Sequence, residues 1–187
     1  PLRLLDPGIT IKPYPNCWAH HKVLQAVLEL KSEHGIRPED VVHVYVDLQM
    51  DKPTYRYRIP KTDLEARYSL SYGIAAALVD GELTLEQYTD QSLHSADYAA
   101  MMERIVDVPA EGSAQQNVAI ELRDGSRLEK WVRYSKGHPL HAPLTLEEVC
   151  RKYRTCAGRI LPPEQVEASM EAILHLEEAG DLRTVMD

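Results

Sequence analysis

Four side chains that can do proton and anion chemistry lie within ten residues near the start of the chain. They are Lys12, Cys17, His20 and His21 in the segment 12–21, KPYPNCWAHH. Two prolines fix φ in this segment, so it is stiff before any tertiary contact forms. An ammonium group in a rigid turn can bind a carboxylate and stabilise the charge that develops when a proton leaves the neighbouring carbon. An imidazole can move that proton near neutral pH. The segment therefore predicts a site for a small organic anion.

Each of these residues also has a structural interpretation, which spacing alone leaves open. From spacing alone, a solvated surface lysine is the simpler interpretation of Lys12. His21 lies on the apolar stripe of a predicted helix, where a hydrogen-bonded core histidine is common. Cys17 either packs as a small residue or lines a pocket beside Lys12, and packing is the simpler interpretation. His20 is treated as peripheral.

Two further motifs accompany this segment. Ser69-Leu70-Ser71-Tyr72 opens an alanine-rich helix, and residues 137–145 read GHPLHAPLT. Together with the KPYPxCxxxH pattern of 12–21, these motifs resemble those of the MmgE/PrpD family, whose members act on small polycarboxylic acids as dehydratases, decarboxylases and isomerases. Three positions depart from the family pattern: Gln25 where Asp is common, Ser71 where proline is usual and Ala142 where Asn is usual. The particular reaction and substrate therefore stay open.

The resemblance implies roles for individual residues and no cofactor. Lys12 would bind a substrate carboxylate, Tyr72 would assist proton movement, and His21 would position or share the proton. The substrate-binding residues would be Cys17, Ser69 and Ser71. From the residues alone, ordinary packing is the alternative for Tyr72, and helix capping is the more direct interpretation of the two serines.

The resemblance also implies a domain arrangement. The chain would be the carboxy-terminal portion of a longer enzyme, with residues 1–140 forming a small α+β domain and residues 141–187 a helical extension. That extension would pack on an all-helical N-terminal domain of the same protein, which would carry further acid–base residues. We therefore expect the chain by itself to have little or no turnover.

Composition argues against several other classes of function. The 187 residues are 44% hydrophobic and 27% charged, as in a globular protein with a substantial core. A formal net charge of −8 with no basic block argues against nucleic acid and anionic membranes as partners. No apolar run approaches the roughly 18 residues of a membrane span. The three cysteines fit a reducing cytoplasm. His138 and His141 lie in no metal-binding motif, so we predict no metal site.

Hydrophobic periodicity places these motifs on an α+β fold. Helices are predicted over 18–33, 62–79, 96–104, 145–160 and 163–179, strands over 42–48, 104–108, 118–122 and 128–134, and an extended loop over 51–62. Alternate residues from Val42 to Leu48 are predicted to face the core, and Asp124-Gly125 indicates a hairpin. The helix at 68–79 is apolar on both sides and is therefore predicted to be buried on both. The pattern favours an antiparallel sheet with helices on one face, followed by two C-terminal helices.

Two classes of function follow from these observations. The first is a lyase or isomerase that removes a proton next to a carboxylate of a small polycarboxylic acid. The second is a non-catalytic module that binds a small molecule or mediates dimerisation. In either case a homodimer is predicted, because the helix apolar on both sides and the last two helices leave apolar surface to cover.

Overall fold

The chain forms two compact units, Pro1–Pro143 and Leu144–Asp187. A computed structural model describes Asp6 and residues 8–48, 57–108, 117–178 and 180–181. The first half of the loop predicted over 51–62, residues 51–56, therefore lies outside the described residues. No helix among the described ranges is both long and apolar enough to cross a bilayer.

The first unit contains a four-stranded sheet and a layer of helices. The strands are β1 (Val41–Val46), β2 (Ile105–Asp107), β3 (Asn117–Leu122) and β4 (Arg127–Trp131), in the order β2-β1-β3-β4. The helices are α1 (His21–His34), α2 (Asp63–Arg67), α3 (Leu70–Asp80), α4 (Asp90–Leu93) and α5 (Ala96–Glu103). Short 3-10 turns lie at Trp18–His20, Pro38–Asp40 and Leu85–Tyr88. The predicted α+β class is confirmed.

The sheet is antiparallel at two of its three interfaces. β3 pairs antiparallel with both β1 and β4, but β1 and β2 are parallel. The predicted antiparallel sheet is thus confirmed in its main part, and the structure adds one parallel pair at the β2 edge. The connection from β1 to β2 contains α2 to α5, and a helical crossover of this kind brings the second strand back in the same direction.

The register of β1 differs from simple alternation. Val41, Val44, Val46 and Leu48 are buried, whereas Val42 is only half-buried. The pairing with β3 shifts between Val41 and His43, and such an irregularity turns the residues before it to the other face. The prediction that Val42 faces the core was wrong for this reason.

The hairpin between β3 and β4 forms at the predicted residues. Gly125 adopts a φ of 83°, and its N–H donates to the Leu122 carbonyl at 3.0 Å. The Asp124 carboxylate accepts from the N–H of Ser126 at 2.9 Å. β4 ends at Trp131 rather than at residue 134, because the chain then enters a bend and a turn.

Helices α1 and α3 form the centre of the helical layer. α1 packs against β3 and β4, and α3 packs on α1 and α5. Every residue of α3 from Leu70 to Leu78 is buried, which confirms burial on both sides. The helix predicted over 62–79 is divided into α2 and α3, because Ser69 adopts an extended conformation and caps α3.

The second unit consists of α6 (Leu146–Ala157), α7 (Pro163–Leu174) and a 3-10 turn at Leu176–Glu178. Thr145 and Glu148 form a reciprocal capping box that begins α6. The Tyr153 hydroxyl donates to Ser169 Oγ at 2.9 Å, and Arg154 forms an ion pair with Glu167 at 2.6 Å. These two contacts connect α6 to α7. α7 ends earlier than predicted, at Leu174, where His175 leaves the helical conformation.

Candidate functional site

Lys12 and His21 converge on one main-chain oxygen. Lys12 Nζ donates to the Asn16 carbonyl at 3.2 Å, and His21 Nε2 lies 3.4 Å from the same atom. The proline-containing turn predicted from the sequence brings these two groups together, because residues 12 and 21 flank the turn whose carbonyl lies between them. Lys12 is exposed and His21 is fully buried, so the shared carbonyl lies between a surface group and an interior group.

His21 is enclosed by aromatic rings of its own segment. Its ring centroid lies 5.2 Å from that of Tyr14 and 4.8 Å from that of Trp18. Trp18 belongs to the 3-10 turn that precedes α1, and this turn closes when the N–H of His20 donates to the Cys17 carbonyl at 3.0 Å. His21 therefore has little freedom to rotate without moving the turn.

Asn16 connects this turn to a distant part of the chain. Its side chain is only 2% exposed, and its Oδ1 accepts a hydrogen bond from the Tyr88 hydroxyl at 2.7 Å. Its Nδ2 lies against Gly73 of α3, where a Cβ would come within 3.3 Å of it. Burial raises the pKa of the Tyr88 phenol far above its ordinary value, so the hydroxyl stays protonated and donates.

Tyr72 lies in the core next to this contact. It is fully buried, and its hydroxyl donates to the main-chain carbonyl of Gln87 at 2.6 Å. Its ring centroid lies 5.6 Å from that of Tyr88 and 5.4 Å from that of Tyr98. Burial, with the nearby carboxylate of Asp80 adding to it, raises the pKa of the Tyr72 phenol. Tyr72 is therefore a neutral donor in this structure.

Tyr98 completes the tyrosine cluster. Its hydroxyl donates to Asp80 Oδ2 at 2.6 Å, and the Gln87 amide donates to the same oxygen at 2.9 Å. Burial first and the Asp80 hydrogen bond second raise the pKa of this phenol. The phenol groups of Tyr72, Tyr88 and Tyr98 thus lie in the same part of the core, but each donates to a different acceptor.

The two serines of the second motif hold the start of α3. Ser69 Oγ accepts from the N–H of Tyr72 at 3.2 Å and lies 3.1 Å from Ser71 Oγ. Ser71 Oγ donates to the Arg58 carbonyl. Both serines are buried, and Ser69 has the N-cap conformation that its sequence position favours.

Cys17 ties the first motif to the second through its main chain. Its N–H donates to the carbonyl of Arg67, the last residue of α2, at 3.0 Å. The side chain is half-buried. The two motifs are therefore adjacent in the fold, although about fifty residues separate them in the sequence.

The third motif holds the segment that carries Lys12. The N–H of Ile11 donates to the Gly137 carbonyl at 3.2 Å, and Gly137 has a φ of 88°. A Cβ on Gly137 would lie 1.8 Å from the Ile11 carbonyl oxygen. Gln25 adds a second attachment, because its Oε1 accepts from the N–H of Lys136 at 2.7 Å and its amide donates to Glu29. At position 137, only a glycine permits the close approach to the main chain of Ile11.

Comparisons with known proteins identify the family of this chain. A family model described as the MmgE/PrpD C-terminal domain matches residues 14–178. The chain belongs to the MmgE/PrpD family. It is 24% identical to the cis-aconitate decarboxylases of Mus musculus and Homo sapiens, over 95% of this chain and 39% of each relative. It is also 24% identical to the cis-aconitate decarboxylase of Aspergillus terreus (strain NIH 2624 / FGSC A1156), over 96% of this chain and 40% of the relative. The chain thus spans about two fifths of the length of the curated relatives it matches.

The structure groups the predicted site residues of this MmgE/PrpD chain in two sets. Lys12 and His21 meet at the Asn16 carbonyl, and Cys17 lies beside them in the chain. Tyr72, Ser69 and Ser71 lie at the start of α3, with the Tyr72 hydroxyl on Gln87. The roles of these residues in binding and catalysis stay predictions. Within the ranges that the structure describes, no group of three or more His, Cys, Asp or Glu side chains could hold a metal ion.

Sequence reasoning missed the residues that join the two sets. Asn16 occupies a variable position of the family pattern, so the motif gave it no weight. Tyr88 lies 72 residues further along the chain, and no local sequence pattern predicts its contact with Asn16. A buried-looking tyrosine needs a hydrogen-bond partner, and a polar residue inside a rigid turn needs one too, so their residue types were the available signals.

Proposed function

We propose that this chain is part of a lyase or isomerase that removes a proton next to a carboxylate of a small polycarboxylic acid, without a cofactor. The observation that carries the proposal is the convergence of the Lys12 ammonium and the His21 imidazole on one carbonyl. Membership of the MmgE/PrpD family and the likeness to cis-aconitate decarboxylases support it. Decarboxylation, dehydration and epimerisation all begin or end with charge on a carbon next to a carboxylate.

Lys12 binds a carboxylate of the substrate in this proposal. Its ammonium group is at the surface, and its contact with the Asn16 carbonyl orients it. Charge that develops on the carboxylate oxygens during proton removal is then opposed by a fixed cation. Loss of one donor that faces a developing negative charge in an active site typically costs about 10²–10³ in rate.

His21 positions or shares the proton. Its ring is held between Tyr14 and Trp18, and one of its nitrogens faces the carbonyl to which Lys12 also donates. A role for Tyr72 in proton transfer requires that its hydroxyl exchange the Gln87 carbonyl for the substrate or for another proton carrier. We therefore propose that Tyr72 acts only after a local rearrangement of the Leu85–Tyr88 turn, which carries that carbonyl.

Turnover needs further acid–base groups from an N-terminal helical domain of the same protein, as the family resemblance implies. The helical unit after residue 143 provides an apolar surface for association, either with that domain or in a homodimer. Leu146 is 64% exposed and Ile160 is 87% exposed, and large apolar side chains at such exposure favour a partner. We place the protein in the cytoplasm, where its three cysteines would stay reduced.

Calorimetric titration of this chain with citrate and with cis-aconitate tests the anion site. The Lys12→Ala variant should bind each acid at least tenfold more weakly, because the cation that faces the carboxylate is removed. Lys22→Ala is the matched control, since Lys22 is an exposed lysine at the start of α1 and its loss changes the net charge equally. Equal binding by the wild type and Lys12→Ala would overturn the proposal.

Turnover measurements test the division of labour between the parts of the enzyme. Cis-aconitate should be consumed slowly or not at all by this chain, and should be consumed by a longer protein that includes the helical domain. Full activity of this chain alone would refute the two-domain account, and it would leave the assignment of Lys12 intact.

A further inference from the structure

We infer that Asn16 and Tyr88 form a buried anchor that positions Lys12 and His21, and that this anchor sets the tautomer of the His21 ring. The inference rests on the proposed function for its significance, but its geometry does not depend on that function. Both anchor residues lie outside the family motif positions identified in the sequence.

The chemistry of the shared carbonyl fixes the direction of both contacts. A carbonyl oxygen only accepts hydrogen bonds, and an ammonium group only donates them. Because His21 Nε2 also faces this oxygen, at 3.4 Å, the contact requires a proton on Nε2. In the neutral ring the lone pair then lies on Nδ1. The Asn16 carbonyl therefore orients the ammonium group of Lys12 and selects the Nε2–H tautomer of His21.

The position of that carbonyl is set by the side chain of the same residue. Asn16 Oδ1 receives the Tyr88 hydroxyl at 2.7 Å, and both residues are almost fully buried, at 2% and 4% exposure. The Nδ2 end of the amide is limited by Gly73, as a Cβ there would come within 3.3 Å. The side chain is thus held by a hydrogen bond at Oδ1 and enclosed by packing at Nδ2, which is buried without a hydrogen-bond partner in the described part of the chain. Rotation of the peptide that carries the carbonyl would require the amide to move with it.

Tyr88 is suited to this role because it belongs to a rigid neighbourhood. It is the last residue of a 3-10 turn whose capping box joins Thr84 and Gln87. Its ring packs on that of Tyr72, with centroids 5.6 Å apart. The Asn16–Tyr88 hydrogen bond therefore connects the turn that carries Lys12 to the rigid core. We assign both residues as positioning residues, because neither is required to touch the substrate.

The Tyr88→Phe variant removes this one hydrogen bond and keeps the ring. Tyr98→Phe is the matched control, since Tyr98 belongs to the same cluster but donates to Asp80. Samples labelled with ¹⁵N-histidine are compared by long-range ¹H–¹⁵N spectra at about pH 8, where an ordinary imidazole is neutral. Wild type and Tyr98→Phe should show His21 as the Nε2–H tautomer. Tyr88→Phe should show a mixture of the two tautomers, and its dissociation constant for citrate should rise by about tenfold.

A second variant keeps the test decisive if Tyr88→Phe folds poorly. Asn16→Ala removes the same bond from the other side, and Asn16→Asp keeps an acceptor for the Tyr88 hydroxyl and should restore the single tautomer. An unchanged His21 spectrum in both Tyr88→Phe and Asn16→Ala would overturn the anchor. An altered spectrum in a protein whose wild type binds neither citrate nor cis-aconitate would support the anchor and reject the proposed function. An equal change in Tyr98→Phe would also overturn the anchor, because the effect would then belong to the cluster as a whole.

Discussion

Gly137 offers the sharpest test of how the third motif holds the segment that carries Lys12. Replacement by alanine would add a Cβ at 1.8 Å from the Ile11 carbonyl oxygen and 2.9 Å from the Ile11 carbonyl carbon. Neither atom belongs to a flexible side chain, so the two main-chain segments must separate. The hydrogen bond from the Ile11 N–H to the Gly137 carbonyl would be lost or lengthened.

Two effects determine the expected cost of Gly137→Ala. A φ of 88° lies in the left-handed region, where a residue with a side chain pays about 1–2 kcal/mol. The steric overlap adds about 1–3 kcal/mol, as for other overpacked positions. We therefore expect the free energy of unfolding of the first unit to fall by about 2–5 kcal/mol.

Gly125→Ala separates these two effects. Gly125 has a similar φ of 83°, but a Cβ there would meet nothing within 4 Å. Its substitution should therefore cost only the conformational part, about 1–2 kcal/mol. Urea denaturation gives the free energies, and hydrogen exchange of the Ile11 amide reports the local contact. The reasoning is refuted if both variants lose the same free energy and the Ile11 amide keeps its protection in Gly137→Ala.

Three other substitutions test the interior and the sheet. Tyr72→Phe leaves a buried carbonyl without its donor at 2.6 Å, so the free energy of unfolding should fall by about 1–3 kcal/mol in urea denaturation; an unchanged value would contradict the contact. Gly73→Ala places a methyl 2.9 Å from Leu24 Cδ2, and overpacking of about 1–3 kcal/mol should exceed the helical gain of about 1 kcal/mol. The melting temperature should therefore fall, and a rise would show that Leu24 yields. The Tyr45 hydroxyl is the largest cause of the lowered pKa of Glu121. Tyr45→Phe should raise that pKa in an NMR titration of the side-chain carboxyl carbon. A carboxyl group whose pKa is lower in the folded state than in the unfolded state stabilises the fold at pH values above its unfolded-state pKa, and this stabilisation is lost as the pH falls through its folded-state pKa. The variant should therefore also lose less stability on acidification. An unchanged pKa of Glu121 would contradict the assignment.

The sequence predicted the features that depend on local patterns. The burial of α3 on both sides followed from apolar residues on opposite faces, and the hairpin followed from Asp124-Gly125, whose residue types suit a tight turn. Both features need only a few neighbouring residues to be specified. The shift in β1 that buries Val41 instead of Val42 depends on pairing with β3, so alternation within one strand could not reveal it.

Long-range contacts account for what sequence reasoning missed in the site. The meeting of Lys12 and His21 lies within one turn of the chain, and the proline-containing segment that carries both residues was sufficient to predict that they lie around the same turn. The Asn16–Tyr88 bond and the approach of Gly137 to Ile11 join parts of the chain that no local pattern relates. Gln25 illustrates the same limit. Its departure from the family pattern suggested a change in chemistry, whereas in the structure it bridges α1 to Lys136.

The positions of Lys12 and Tyr72 impose an order on any mechanism that uses both. Lys12 is at the surface and already oriented, whereas the Tyr72 hydroxyl is buried on a main-chain carbonyl and its phenol is held neutral. A carboxylate can therefore meet the ammonium group without a change in the core. Proton donation by the phenol requires the Leu85–Tyr88 turn to release it. Since Tyr88 in the same turn also anchors Asn16, a movement that frees Tyr72 would loosen Lys12 and His21 together. In the proposed mechanism, carboxylate binding at Lys12 and access to the Tyr72 phenol would thus be coupled through one short turn, and substitutions in that turn should change both at once.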